Sequence, residues 1–304
     1  MNGTGSGKFL RKVKHNRNAI LFITIGLAFP LVQFILFYIC VNANSLILAF
    51  KEYQGDNSYT FAGLDNFKRV IQTFLSDPMK LTMLKNSLVM CLFSVAMIFV
   101  NIIVTYLLWR KAWGSGFFKV ILFMPSIIST IVFVVIFRYV ITDALPAITH
   151  VEKLGELLSP PEGFYTMLVF SAILGFGPAI LVFLGTMSTV DTSLVEYGKI
   201  DGMNIVQEFW HLILPHLYST IVAYVIISLA TLFSNYGLIF AFFDANADVS
   251  MRTLGYDLFV RVYASVNYYE YPVISATGLL YTVITLPIVF GVRRAMEWLG
   301  PKEQ

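Results

Sequence analysis

Apolar residues in this chain gather in runs long enough to cross a bilayer, separated by polar stretches of very unequal length. Six runs stand out, at about 19–41, 84–109, 118–141, 165–188, 217–243 and 272–292. A helix rises about 1.5 Å per residue, so each run covers a hydrocarbon core of roughly 30 Å. The pattern predicts an all-α polytopic membrane protein: six transmembrane helices over 19–292, a basic tail at 1–18 and a second tail at 293–304. Val41-Asn42-Ala43 loosely resembles a signal-peptide cleavage site. The apolar core before it far exceeds the about 7–15 residues of such a signal, so it reads as a retained helix.

Helix breakers punctuate the runs at Pro30, Pro125, Pro178 and Pro287. The fourth run contains Gly175-Phe176-Gly177-Pro178, which is expected to disturb the helical ladder near mid-membrane. Freed carbonyls are tolerated there only where protein or a water-filled cavity satisfies them. Two readings stay open, a packing kink or a break lining a solute path. Polar residues inside the runs are few: Gln33, Asn101, Tyr224, Ser228, Ser234, Asn235 and Tyr236. Arg138, near the outer end of the third run, is expected to snorkel. No ladder of buried acids suggests a proton relay.

Composition agrees with the pattern. Charged residues are 13% of the chain, against about 25% for a soluble domain. A net charge of +3 with scattered basic residues gives no footprint for nucleic acid. Charge sets the orientation instead. Lys8, Arg11, Lys12, Lys14, Arg17, Arg110, Lys111, Lys119, Lys199, Arg293, Arg294 and Lys302 place 12 of the 21 basic residues on one side. That side also has the shorter loops, so it is expected to be cytoplasmic, with both termini and the loop holding Glu196.

Other chemistry is set aside. Cys40 and Cys91 make neither a disulfide framework nor a metal site. His15, His150, His211 and His216 lack ligand spacing on one helix face. "GTGSGKF" at 3–9 has Asn2 and Phe9 where a phosphate-binding loop needs Gly and Ser or Thr. It reads as a flexible tail, leaving no ATP site in this chain. No H-E-x-x-H and no acid beside Gly-Phe-Gly-Pro point to a protease, so no catalytic residue, metal or resident cofactor is expected.

One polar insert is anomalous: "TSLVEYGKIDGMNIVQEFWHLILPHL", 192–217, between two apolar runs. Ser193-x-x-Glu196 has capping-box spacing, and Gly202 suits the end of a first short helix. Asn204-x-x-Gln207 offers a second start, with Ile205/Phe209 and Val206/Trp210 as i, i+4 apolar pairs up to Pro215. Asp191, Glu196, Asp201 and Glu208 against Lys199 make it acidic, unlike a helix lying on lipid headgroups. On these grounds two readings stand, a surface for a protein partner or an amphipathic loop packed on its own bundle with Glu196 as a cap.

The insert resembles the EAA signature of ABC importer permeases: Glu-Ala-Ala, three residues, Gly, nine residues, Ile-x-Leu-Pro. Glu196, Gly202, Leu214 and Pro215 keep the spacing, and Tyr197-Gly198 replaces Ala-Ala, a departure expected to loosen the first helix. "IDGMNIVQEFWHLILP" is similar to the sugar-permease form of the motif. "FAGLDNF" at 61–67 and "FFKVILFMPSIIS" resemble the maltose-type first permease subunit; "FDANADVS" stands where the family often has Thr-Gly-Gly-Pro.

The resemblance implies a type I ABC importer permease of a bacterial-type plasma membrane, with a cytoplasmic two-helix coupling loop at 191–215. Its partners would be a second homologous permease, giving a heterodimer, a cytoplasmic ATPase dimer carrying ATP and Mg, and an extracytoplasmic solute-binding protein. Glu196, Asp201, Gly202, Leu214 and Pro215 would serve ATPase coupling. Leu174, Gly175, Ser228 and Asn235 would lie on the path of a carbohydrate, or equally be helix-packing residues. The same superfamily also includes importers of non-sugar solutes.

Overall fold

The computed structural model describes residues 17–56, 58–264 and 267–300. The tail basics Lys8, Arg11, Lys12, Lys14 and Lys302, and the "GTGSGKF" stretch, lie outside them. Five single helices are long and apolar enough to cross a membrane. They are α1 (17–48), α3 (Pro78–Trp109), α5 (Thr130–Thr149), α6 (Gly163–Met187) and α12 (Tyr271–Leu299). A bent pair, α8 (Ile205–His216) and α9 (Tyr218–Ala230), meets at 68° and is long and apolar enough only when its two helices are taken together. Shorter elements are a hairpin of β1 (Lys51–Gly55) and β2 (Ser58–Phe61), α2 (Asp65–Ser76), α4 (Ser115–Ile127), α7 (Thr192–Ile200), α10 (Gly237–Phe243) and α11 (Leu254–Ala264).

Several boundaries differ from the hydropathy pattern for local reasons. α3 begins before residue 84 because Asp77 accepts a hydrogen bond from Met79 N at 2.9 Å and Pro78 takes the first helical position. The third run is two helices, since Ile128 and Ser129 are extended just after Pro125. α12 continues through Arg293, which pairs with Glu297 at 2.8 Å, so 293–299 extends the helix. The Gly-Phe-Gly-Pro segment does not break α6. A Cβ on Gly177 would lie 2.5 Å from Ser126 Oγ and 3.2 Å from Phe123 Cα. The glycine lets α6 and α4 touch, and of the two readings the structure favours packing.

The predicted fifth span, 217–243, is where the chain departs most. α9 stops at Ala230, residues 231–236 run as turns, and α10 resumes at Gly237. An interruption inside a membrane protein needs its backbone groups satisfied. Thr253 Oγ1 donates to Asn235 O at 2.9 Å. Gly255 lies flush on the turn, so that a Cβ there would be 2.8 Å from Asn235 N and 2.9 Å from Phe233 O. α3 holds this assembly: Leu254 N donates to Ser87 Oγ at 3.0 Å, and Asn86 Nδ2 donates to the Ser250 and Arg252 carbonyls at 2.7 and 2.9 Å. Arg138 does not simply snorkel; its Nη1 donates to Phe242 O at 2.9 Å and closes the end of α10.

The described residues divide into one unit of 17–68 with 267–279 and another of 69–264 with 280–300. In the first, α1 is exposed from residue 20 to 42, as lipid contact requires. The "FAGLDNF" motif closes the hairpin: Gly63 sits at φ +57, and buried Asn66 donates to the Ala49 and Lys51 carbonyls at 2.9 and 2.7 Å. Tyr53 packs edge-on to Tyr59 and Tyr269. In the second, one apolar cluster centres on Phe170, Phe242 and Tyr256 and another on Phe183, Ile213 and Leu217. The second cluster ties the 192–217 insert to α3 and α6 through Ile102, Tyr106 and Met187.

A buried ion pair braces α3 against α11: Lys80 Nζ lies 2.6 Å from Asp257 Oδ2, with side chains 7% and 12% exposed, and Arg261 Nε is 3.1 Å from the same oxygen. Asp257→Ala strands the Lys80 ammonium and should cost about 3–5 kcal/mol, read as a lowered unfolding temperature of the detergent-solubilised protein. Adding Lys80→Met should recover most of the loss.

Candidate functional site

The insert folds as two short helices around a glycine turn, and its caps decide its shape. α7 starts at Asp191, whose Oδ1 accepts from Ser193 N at 2.9 Å. That hydrogen bond holds the Asp191 carboxyl below its ordinary value. The expected Ser193–Glu196 capping box is absent because Asp191 takes the cap and moves Ser193 into the first turn. Glu196 is therefore released: it is exposed and makes no hydrogen bond or ion pair among the described residues.

The end of α7 is fully satisfied. Gly202 sits at φ +77, Gly202 N donates to Lys199 O at 3.1 Å, and Met203 N donates to Gly198 O at 2.9 Å. This paired closure of a helix end requires a left-handed residue, which glycine adopts at little cost. The Tyr197-Gly198 departure does not loosen α7, which is continuous from Thr192 to Ile200. A Cβ on Gly198 would lie 3.1 Å from Met203 Sδ and 3.4 Å from Leu212 Cδ1, so those side chains occupy the space an alanine methyl would fill. α8 opens on the expected reciprocal cap, Gln207 N to Asn204 Oδ1 at 2.8 Å and Asn204 N to Gln207 Oε1 at 2.9 Å. Its ladder widens at Phe209–Ile213 just before Pro215, which has no N–H to offer.

Two faces result. The inner face is anchored by Glu208, which charge alone groups with the partner-facing acids. It is buried at 4% exposure and accepts from Tyr106 Oη at 2.9 Å, with Arg110 Nε at 3.8 Å. Tyr106 Oη also lies 3.1 Å from Ile205 O, and the Phe209 ring packs 5.1 Å from the Tyr106 ring. Ile213 and Leu217 are wholly buried, and Leu214 is half-buried. The outer face carries Glu196, Asp201, Gly202 and Pro215, with Tyr197, Ile200, Ile205, Val206 and Trp210 all exposed; Ile200 reaches 79%.

The residues expected along a solute path are not gathered together. Ser228 and Asn235 line one pinched crevice, too tight to admit a water molecule, with Ser87, Ser94, Thr231 and Thr253. Leu174 packs against the Phe170–Phe242 cluster, and Gly175 is exposed, with no atom within 4 Å of where a Cβ would stand. Ser87 and Ser94 escape the sequence reading, although Ser87, Cys91 and Ser94 repeat at helical spacing on one face of α3.

Residues 95–304 match the family described as "Binding-protein-dependent transport system inner membrane component". The chain belongs to this family. It is a multi-pass membrane protein of the transport-permease kind. It is 25% identical over 262 residues to the multiple sugar-binding transport system permease protein MsmF of Streptococcus mutans, covering 84% of this chain and 88% of that protein. Against the arabinooligosaccharides transport system permease protein AraP of Halalkalibacterium halodurans it is 24% identical over 236 residues, 74% of this chain and 73% of the relative. A bacterial ABC transporter involved in the import of the acidic polysaccharide alginate shares the fold, with a TM-score of 0.71 at 16% identity, covering 97% of this chain and 100% of the other.

Glu208→Ala removes the acceptor for Tyr106 and should cost about 1–3 kcal/mol. Glu196→Ala, on the exposed face, should stay within about 0.5 kcal/mol of the parent; thermal unfolding in detergent checks both. Asp191 titrates below an ordinary carboxylate, so its cap is complete above the ordinary range and lost as pH falls through the lowered value. Protection of the Ser193 amide, its exchange rate relative to an unprotected amide at the same pH, should fall over that acidic window.

Proposed function

We propose that this chain is the transmembrane permease subunit of an ATP-driven carbohydrate importer, coupled to a cytoplasmic ATPase through the 191–215 loop. The observation that carries the reading is the loop's construction: a fully capped helix–glycine–helix, bolted inward by Glu208 and presenting Glu196 and Gly202 outward. A rigid hairpin transmits a rigid-body displacement of its partner, whereas a slack one absorbs it. Relatives named for sugar and arabinooligosaccharide transport support the solute class. The distribution of Lys and Arg supports placing the loop and both termini in the cytoplasm.

In this reading ATP and Mg belong to the partner ATPase subunits, and a second homologous permease completes the path. A solute-binding protein delivers the carbohydrate from the other side. The chain itself makes and breaks no covalent bond. Glu196, Asp201 and Gly202 form the docking surface, with Pro215 at its edge and Leu214 behind it. Ser228 and Asn235 supply a hydroxyl and an amide beside the interruption of the fifth span, and Leu174 and Gly175 serve the path only in a more open arrangement.

Glu196→Arg tests the docking role without disturbing a cap. ATPase co-purification and solute uptake should both fall at least tenfold while thermal stability is unchanged. Wild-type levels of both would sink the docking assignment. Uptake by the reconstituted complex from a panel of oligosaccharides, sn-glycerol 3-phosphate and short peptides tests the solute class separately.

A further inference from the structure

The stretch "FDANADVS", 243–250, plays no part in coupling, yet its backbone is held with unusual care. Asp244 sits at φ +51, ψ −134, a conformation that side chains other than glycine rarely adopt. Such a residue costs on the order of 1–3 kcal/mol and persists only where its surroundings impose it. Here they do. Asp244 N donates to Phe240 O at 2.8 Å. The wholly buried Tyr256 donates its hydroxyl hydrogen to Asp244 O at 2.6 Å and accepts from Ala247 N at 3.1 Å. Arg252 Nε donates to Ala247 O at 2.7 Å.

The turn lines a cleft of about 490 Å³ with Arg138, Phe240, Phe243 and Asn246, within the roughly 300–1,000 Å³ typical of small-molecule sites. Its wall includes Phe242, which packs 5.0 Å from Phe170, about two turns from the start of α6. The cleft therefore lies toward the end of the bundle away from the Thr192–His216 loop. Arg138 and Asp244 carry opposite charges and line the same cleft, yet form no ion pair with each other. Arg138 commits one donor to Phe242 O and has others to give. Neither the Asp244 carboxylate nor the Asn246 amide has a hydrogen-bond partner among the described residues.

We propose that this cleft is a carbohydrate subsite at the solute-entry end, distinct from the Ser228–Asn235 cleft. A sugar hydroxyl both donates and accepts. A ring lying between Arg138 and Asp244 would accept from the guanidinium and donate to the carboxylate, and Asn246 can do either. Phe243 offers an apolar surface for the ring's C–H face. Asp244 sets the charge preference: a neutral sugar is favoured over a uronate, whose carboxylate would oppose it. The assignment rests on the carbohydrate reading above.

The test uses the complete complex of both permeases and the ATPase in nanodiscs, without binding protein. Ala241→Cys, which lines the cleft, reports its occupancy through the rate of reaction with a membrane-impermeant maleimide in a Cys40→Ser background. Maltotriose, an arabinotriose and trigalacturonate are the probes. A neutral trisaccharide at twice its dissociation constant should slow labelling about threefold. Asp244→Asn should abolish that protection and leave the unprotected rate unchanged, and trigalacturonate should protect less than the neutral sugars. Absence of protection, protection that survives both Asp244→Asn and Arg138→Gln, or protection appearing only when binding protein is added would each overturn the subsite. Uptake assays on the same complex with binding protein separate the two claims. Uptake of a probe sugar without protection removes the subsite alone, and no uptake of any sugar removes the carbohydrate reading with it.

Discussion

A backbone N–H or C=O left bare in hydrocarbon costs several kcal/mol, and the turn after Ala230 is an interruption where that penalty applies. Thr253 and Gly255 cover that turn, and both their segment and the insert between α6 and α9 are tied to α3. Near its start Lys80, Asn86 and Ser87 reach Asp257, the 250 and 252 carbonyls and Leu254 N. Near its end Tyr106 and Arg110 meet Glu208. A membrane helix that bears the desolvation cost of so many buried polar groups is acting as a spine, and the irregular elements hang from it.

That arrangement fixes the relative register of its parts. Apolar packing between helices in lipid is non-directional and permits sliding, whereas hydrogen bonds and ion pairs hold a register. The loop that presents Glu196 is fixed to the last turn of α3, and the segment that shapes the Arg138–Asp244 cleft is fixed to its first turns. One helix thus carries directional bonds to both segments.

Much of this was legible in the residues. The six apolar runs, the glycine turn at Gly202 and the Asn204–Gln207 cap depend on local chemistry. All appear where the pattern put them, the third and fifth runs as broken helices. Where two local rules competed, spacing alone did not choose between them. Asp191 and Ser193 could each cap α7, and the winner set Glu196 free. Gly177-Pro178 could break α6 or pack it, and Ser126 on a neighbouring helix settled the matter.

By itself the sequence determined that this is a polytopic membrane protein with an acidic, capped helix pair between its fourth and fifth apolar runs. Length, hydropathy and cap spacing act within one segment and need no partner to be read. Only the tertiary structure decided that Glu208 faces inward while Glu196 faces out, that the fifth span is broken beside Asn235, and that Arg138 and Asp244 share a cleft without touching. Those outcomes depend on which buried donor finds which acceptor across more than a hundred residues, or across a bundle, and the fold alone brings such pairs within reach.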